Sequence, residues 1–323
     1  MQPFGHEFVP YGEGAGPTQS GLAHRLRKIN EGRVVACGNA FAVWNAWTGR
    51  SIMSWMRIMA PLAGAAADRG LLEAARVLAE GFDAELACVH APADMADLMP
   101  WMGEGFMGGV QVTALESLKE AAVEGHHAVD KLVAELGYAR SKAISLESPV
   151  WAGLAMEGRL SDVIVFDSAA ARGKGPLAEA FQQMIADEQR PVVVARPGLK
   201  VGGTVMVAWD GGKEASRAMR TSLPLLQKAA KVVVAGAPDA SSRSFALERL
   251  VEFLAARGVT ATTKVVEGSG GDAAGLLLGA AKDVGADFLV AGAFGHPRLQ
   301  EFIFGGTTRS LLNNDGPSLF LSH

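Results

Sequence analysis

The chain lacks the residues that build stapled or metal-held folds. Its only two cysteines are Cys37 and Cys88, too few for a disulfide framework and outside any C-x-x-C or His-paired metal spacing. Both thiols are expected to be structural, in a reducing cytoplasm. Charge is sparse as well: 20% of residues are charged and the formal net charge is -4. No broad basic surface remains to neutralise a nucleic-acid backbone, which excludes nucleic acid as a partner. The apolar run Val34–Trp47, preceded by Arg25, Arg27 and Lys28, is broken by Asn39 and Asn45. It falls short of the roughly 20 residues that cross a bilayer, and no membrane role is expected.

Catalytic signatures are missing too. There is no G-x4-G-K-[ST] loop; "ARGKGP" at Ala171–Pro176 has a lysine between glycines but neither the hydroxyl nor the loop spacing. No Ser-His-Asp or Cys-His arrangement can be assembled, and "DGGKEAS" after Trp209 is not a dinucleotide fingerprint. No catalytic residue and no metal ligand is assigned, and the chain is read as a binding protein rather than an enzyme.

What is present is repetition. With 323 residues, 49% of them hydrophobic, the chain can fill two cores. Two apolar runs, from Met56 and from Thr204, each lead into a glycine turn and a helix pattern; setting Gly64 on Gly211 gives an offset of 147. Further on, "SDVIVFD" matches "ADFLVAG", with Asp162 on Asp287 at an offset of 125. The offsets differ by 22 residues, the length of the Met- and Gly-rich segment Ala91–Val112, which is read as a loop inserted in the first copy.

In the second copy short apolar runs at Val205–Trp209, Lys231–Ala235, Thr260–Val266, Phe288–Ala291 and Ser318–Leu321 alternate with helical segments. That alternation implies crossover units and a parallel sheet. Leu247, Leu250, Val251 and Leu254 have the spacing of a helix with one buried face. Leu118, Ala121, Ala122, Leu132, Val133 and Leu136 show the same pattern in the first copy. The expected fold is α/β: two repeated doubly wound domains, each a five-stranded, mainly parallel sheet flanked by helices, packed as an internal pseudo-dimer. The domains run over 52–199 and 200–323, joined by an extended linker at Arg196–Gly203. Residues 1–51 fit neither copy and are rich in Gly, Pro and polar turn residues up to about Gly21. Two readings stand for them: a partly disordered extension, or a start of translation further on, at Met53 or Met56.

Ligands of parallel α/β sheets bind beyond the carboxyl ends of the strands. In the second copy Asp210 ends the first strand and can accept hydrogen bonds from sugar hydroxyls, and Gly211 and Gly212 allow a tight turn. After the fourth strand Gly292 and Gly295 remove side chains where a phosphate would approach the backbone. A helix beginning near Gly306–Thr307 would aim its free N–H groups at the same space, with hydroxyls from Thr307 and Thr308.

From Ile52 to His323 these residues resemble a tandem universal stress protein. Nucleotide-binding members of that family carry G-x2-G-x9-G-[ST] after the fourth strand and an aspartate ending the first. Gly292-x2-Gly295-x9-Gly305 matches in spacing and Asp210 matches the aspartate, while Gly306 stands where the hydroxyl is expected, with Thr307 one place late. The resemblance implies a cytoplasmic binding and regulatory protein, acting in stress or growth arrest without a defined reaction. Its second copy would hold ATP or a related adenine nucleotide, accompanied by Mg²⁺. Asp210 and Gly211 would serve the ribose end, Gly292 and Gly295 the phosphate path, and Gly305, Gly306 and Thr307 the terminal phosphates. In the first copy Ala63 replaces the aspartate, Asp167 replaces the first glycine and Glu179–Ala180 replaces the later pair. Two carboxylates where a phosphate would sit predict that this copy binds no nucleotide.

Two alternatives stay open: a nucleotide-free protein-interaction module, meeting an unknown protein partner through its pseudo-dimer surface and the Ala91–Val112 loop, and a slow ATPase. "LMPWMGEGFMGG" at Leu98–Gly109 reads either as a lid or partner surface or as a loop buried over the sheet edge. Lys213, Glu214 and Arg217 are expected to form a solvated first helical turn, His296 to be a solvated loop histidine, and His126 and His127 to lie on a helix without metal-ligand spacing.

Overall fold

Four-to-six-residue runs of Val, Ile, Leu, Met and Ala, bounded by glycine turns, become the strands of one sheet in the computed structural model of the chain. The structure describes residues 54–93, 109–147, 149–236, 247–266, 272–293 and 306–323. The first half runs β1 (Arg57–Leu62), α1 (Asp68–Phe82), β2 (Glu85–His90), α2 (Gly109–Leu136), β3 (Ser141–Ser145), α3 (Val150–Arg159), β4 (Val163–Asp167), α4 (Ser168–Ala171), α5 (Ala178–Gln182) with a π-helical turn at Gln183–Asp187, and β5 (Val192–Ala195). The second runs β6 (Thr204–Ala208), α6 (Lys213–Thr221), α7 (Leu223–Lys228), β7 (Lys231–Gly236), α8 (Leu247–Ala255), β8 (Ala261–Val265), α9 (Ala273–Val284), β9 (Phe288–Gly292), α10 (Gly306–Asn313) and β10 (Ser318–Ser322).

The ten strands form a single sheet in the order β3-β2-β1-β4-β5-β10-β9-β6-β7-β8, so that each half has the same order read towards the middle. Within each half every pairing is parallel; the halves meet where β5 and β10 pair antiparallel, with Val193 opposite Phe320. An antiparallel seam between two parallel halves gives the sheet an approximate two-fold axis. It also covers an edge that each half would otherwise expose to pairing with another chain.

Register repeats with the sequence offsets. Ile58 faces Val163 in the first half and Val205 faces Phe288 in the second, 147 and 125 residues further on. Asp162 Oδ2 accepts hydrogen bonds from the N–H groups of Met56 and Arg57 at 2.6 and 3.0 Å, and Asp287 Oδ2 accepts one from Thr204 at 2.7 Å. Each carboxylate pins the entry of the first strand of its half, a job that explains an aspartate just before an apolar strand.

Burial follows position in the sheet. The central strands are closed on both faces, as parallel strands under crossover helices must be, whereas β3 and β8 at the two edges are only half-buried and carry Ser, Thr and Lys. The seam has its own apolar contacts: Trp55 is buried, its ring stacks on Phe320 at 5.6 Å and lies 4.5 Å from Phe82, and its indole N–H reaches the Thr221 carbonyl at 3.3 Å. On α8, Leu250 and Leu254 are buried with Leu247 and Val251 packed beside them.

Three sequence expectations are corrected. The linker at Arg196–Gly203 is turned, not extended: Gly198 and Gly202 have φ of +82° and +87°, and Arg196 is buried. Glycine permits those left-handed bends, and the antiparallel seam requires the chain to fold back. The last four residues of the inserted loop, 109–112, belong to α2; residues 94–108, which include most of Leu98–Gly109, lie outside the described residues, as do residues 1–51. On α2 the buried stripe passes through Gly125 and Val129, and Ala121 is exposed, because glycine is small enough to take the closest position against the sheet.

Candidate functional site

The parallel pairing of β6 with β9 brings the chain out at the same edge after both strands. There β6 leads through Trp209 into Asp210, whose exposed carboxylate folds back on its own turn: Oδ1 accepts the Gly212 N–H at 2.7 Å. Gly211 supports that turn with φ of +74°. One carboxylate oxygen thus holds the turn, while the other has no hydrogen bond among the described residues and can accept one from a ligand hydroxyl.

α10 descends between the parallel strands β9 and β10, which puts its N-terminus at the same edge. Gly306 and Thr307 open it and are exposed, and among the described residues a Cβ added at Gly306 would find no atom within 4 Å. The first N–H groups of the helix have no partner within the helix, and the Thr307 hydroxyl is exposed beside them. Thr308 is buried and belongs to the core side of the helix.

Gly292 is at this edge for a different reason from the one its spacing suggests. A Cβ there would lie 2.5 Å from the Ala215 amide nitrogen and 2.6 Å from the Glu214 carbonyl carbon. The missing side chain is used by α6, which packs its first turn directly on the end of β9. Gly295 and Gly305 lie outside the described residues, as does His296.

The first turn of α6 is not uniformly solvated. Lys213 and Arg217 are exposed, but Glu214 is buried, with Oε1 3.4 Å from Lys213 Nζ and in no hydrogen bond among the described residues. Contact with β9 forces this residue inward, and its acidic head gains from the helix dipole in the first turn. Trp209 is a further group that the sequence did not single out: its indole N–H is buried without a partner among the described residues.

At the corresponding edge of the first half the groups that would meet a phosphate are already engaged. Asp68 is buried, and its Oδ2 accepts the N–H groups of Gly64 and Ala65 at 2.8 and 3.0 Å. Asp167 caps α4, accepting the Ala170 N–H at 2.7 Å, and Glu179 is exposed in the first turn of α5. α2 lies across the turn so closely that a Cβ on Gly64 would fall 2.6 Å from the Gly125 Cα. An internal carboxylate thus occupies the turn, and a helix covers it.

His90 ends β2 under that helix, almost wholly buried, with Nδ1 unpartnered among the described residues. Its ring stacks 6.2 Å from His126, which lies 3.5 Å from Asp130. Burial, then the neighbouring His126, lower its pKa, against the opposing pull of Asp68 and Asp130. An imidazole that binds its proton less readily folded than unfolded leaves stability untouched above about pH 6.5 and lowers it below, down to its folded pKa. The unfolding free energy is therefore expected to fall as the pH drops below about 6.5, with a component of up to about 1.4 kcal/mol per pH unit that His90→Gln removes. Urea titrations at several pH values measure it; parallel pH profiles for parent and variant would show that His90 binds its proton as readily folded as unfolded.

The remaining chemistry is structural. Cys88 is a buried free thiol whose pKa burial pushes up to about 12, so it is inert. Among the described residues no group of three His, Cys, Asp or Glu is placed to hold a metal ion. No helix among them is long and apolar enough to cross a membrane.

No protein-family model and no curated protein matches this chain. Solved structures do. The chain is similar to a universal stress protein from Archaeoglobus fulgidus, with 14% identity over 82% of this chain and 95% of that one at a TM-score of 0.58. It is also similar to a functionally unknown protein from Pseudomonas aeruginosa, with 15% identity over 86% and 94% at 0.48. A universal stress protein in complex with cAMP aligns at 22% identity with 38% of this chain and 96% of its own length, at 0.30. At such identities the Archaeoglobus structure shows a shared fold: helices on a mostly parallel sheet, over nearly the full length of the other protein.

Proposed function

We propose that the chain is a cytoplasmic binding and regulatory protein of the universal stress type, built from two copies of one unit. Its second copy takes ATP or a related adenine nucleotide. The observation that carries the reading is the pairing, at one edge of the sheet, of an exposed carboxylate at Asp210 with the open N-terminus of α10 at Gly306 and Thr307. Asp210 accepts from the ribose hydroxyls, the turn at Gly211 shapes the entry, and the free N–H groups of α10 with the Thr307 hydroxyl meet the phosphates. Gly295 and Gly305, by their spacing, complete the phosphate path. Gly292 contributes by letting α6 close against β9. A Mg²⁺ ion would arrive with the phosphates, which supply its oxygen ligands and leave charge neutralisation shared with the helix end. No residue is assigned a catalytic step, and the first copy, with Asp68 in its turn, binds no nucleotide.

Calorimetric titration of MgATP into the full chain tests this. The parent is expected to bind at one site, and Asp210→Ala to bind about tenfold more weakly, the loss of one charge-assisted hydrogen bond. Gly306→Ser restores a hydroxyl in a position with room for it and is expected to tighten binding by about tenfold. Absence of heat at millimolar MgATP from both the parent and Gly306→Ser would overturn the reading.

A further inference from the structure

α10 is held at its far end by the other half of the molecule. The helix is eight residues long and has no basic residue in its last turn. Arginines from the first half supply the missing positive charge. Arg196, which follows β5, donates from Nη2 to the Leu311 carbonyl at 2.7 Å and from Nη1 to the Pro317 carbonyl at 2.9 Å. Its backbone N–H reaches Ser318 Oγ at 3.2 Å. Arg172, which caps α4, donates from Nε to the Leu312 carbonyl at 3.0 Å and from Nη2 to Asp315 Oδ1 at 3.2 Å.

The grip of Arg196 is not a surface pair. Arg196 is almost fully buried and no carboxylate pairs with it among the described residues; its charge rests on the Leu311 carbonyl in the last turn of α10, at the negative end of the helix dipole, and on the Pro317 carbonyl beyond it. Burial and the nearby Arg172 lower its pKa, while Asp315 opposes them. Arg172 lies on the segment after β4. By strand order this is the counterpart of the segment after β9, which carries Gly295. The stretch assigned to phosphate in one half thus reaches across the seam in the other.

We propose that Arg172 and Arg196 are positioning residues for the ligand helix: the first half fixes the direction in which α10 points its N-terminal N–H groups, and thereby sets the affinity of the second half's site. The proposal rests on the nucleotide reading for its affinity arm, and on geometry alone for its bracing arm. Two forks gripping two carbonyls in the last turn of a short helix and a third beyond its end resist tilt and sliding. Coupling of this kind is reciprocal, so a ligand at the N-terminus also tightens the seam.

The test uses the full chain with Arg172→Ala and Arg172→Lys, at a side chain about a third exposed whose loss leaves the core intact. Hydrogen exchange and MgATP calorimetry are measured together. In Arg172→Ala the amides of α10 are expected to exchange about tenfold faster while those of β6 and β7 are unchanged. MgATP is expected to bind about three- to tenfold more weakly, and Arg172→Lys, which keeps the charge and one contact, to recover part of both. Unchanged exchange in α10 overturns the bracing whatever the nucleotide does. Faster exchange with unchanged affinity in a parent that binds MgATP overturns the steering. A parent that binds no MgATP defeats the nucleotide reading and the steering with it, and the exchange arm then decides the bracing by itself.

Discussion

Gly292→Ala is expected to destabilise the protein by about 3 kcal/mol or more, the cost of forcing one carbon into packed backbone. The added Cβ would sit 2.5 Å from the Ala215 nitrogen, 2.6 Å from the Glu214 carbonyl carbon and 2.8 Å from the Glu214 Cβ. Two of these are main-chain atoms of a helix, which cannot swing aside as the tip of a side chain can. Either α6 must lift from β9 or the strand must bend, and both sever contacts in the middle of the sheet. Gly306→Ala is the paired control, because a Cβ there meets nothing. It is expected to leave stability unchanged or raise it by about 0.5 kcal/mol, as alanine loses less chain entropy in a helix. Urea midpoints of the two variants and the parent settle the matter. Equal midpoints for Gly292→Ala and the parent would mean that β9 and α6 are further apart than described. The comparison bears on function: a glycine needed for packing says nothing by itself about phosphate, so weight shifts to Asp210 and to the open end of α10.

Phe320→Ala is expected to cost about 3–5 kcal/mol, the range for emptying a large buried aromatic site. Phe320 is fully buried on β10, lies opposite Val193 across the antiparallel seam and beside Val290 in the parallel ladder, and stacks on Trp55. Its removal leaves a cavity where the two halves share one core. The parent is expected to unfold in a single transition, because an uninterrupted sheet links the halves, and the variant to separate into two, as the shared term is what couples them. Differential scanning calorimetry measures both. A small loss, under about 1 kcal/mol, would show that the site collapses around the gap.

The strands of the second half were legible to within one residue, and for all but the edge strand β8 the reason is physical: a strand closed on both faces has no polar alternative, so its apolar run and its limits coincide. Helix α8 was legible because Leu250 and Leu254 recur at the interval that one buried face requires. Other features were not readable. Glu214 looked solvated, being charged and at a helix start, yet the approach of β9 buries it. His90 gave one weak signal, a histidine closing an apolar strand, and its meeting with His126 depends on where a helix that begins at least 19 residues later crosses the sheet. Asp68, Arg172 and Arg196 carry no motif; each acts on a backbone group brought to it by the fold, and backbone groups leave no trace in a sequence.

By itself, then, the sequence determined the α/β class, the repeated strand-helix order with its offsets of 147 and 125, and the residue types around Asp210 and Gly306. These are local or periodic properties, set by which side chains can be buried and which turns need glycine. Only the tertiary structure decided that the two halves share one ten-stranded sheet through β5 and β10, that Gly292 serves α6, that Asp68 fills the turn of the first half, and that two arginines grip the end of α10. Those outcomes depend on distances between segments more than 100 residues apart or on backbone atoms common to every residue, and neither is written in the order of the side chains.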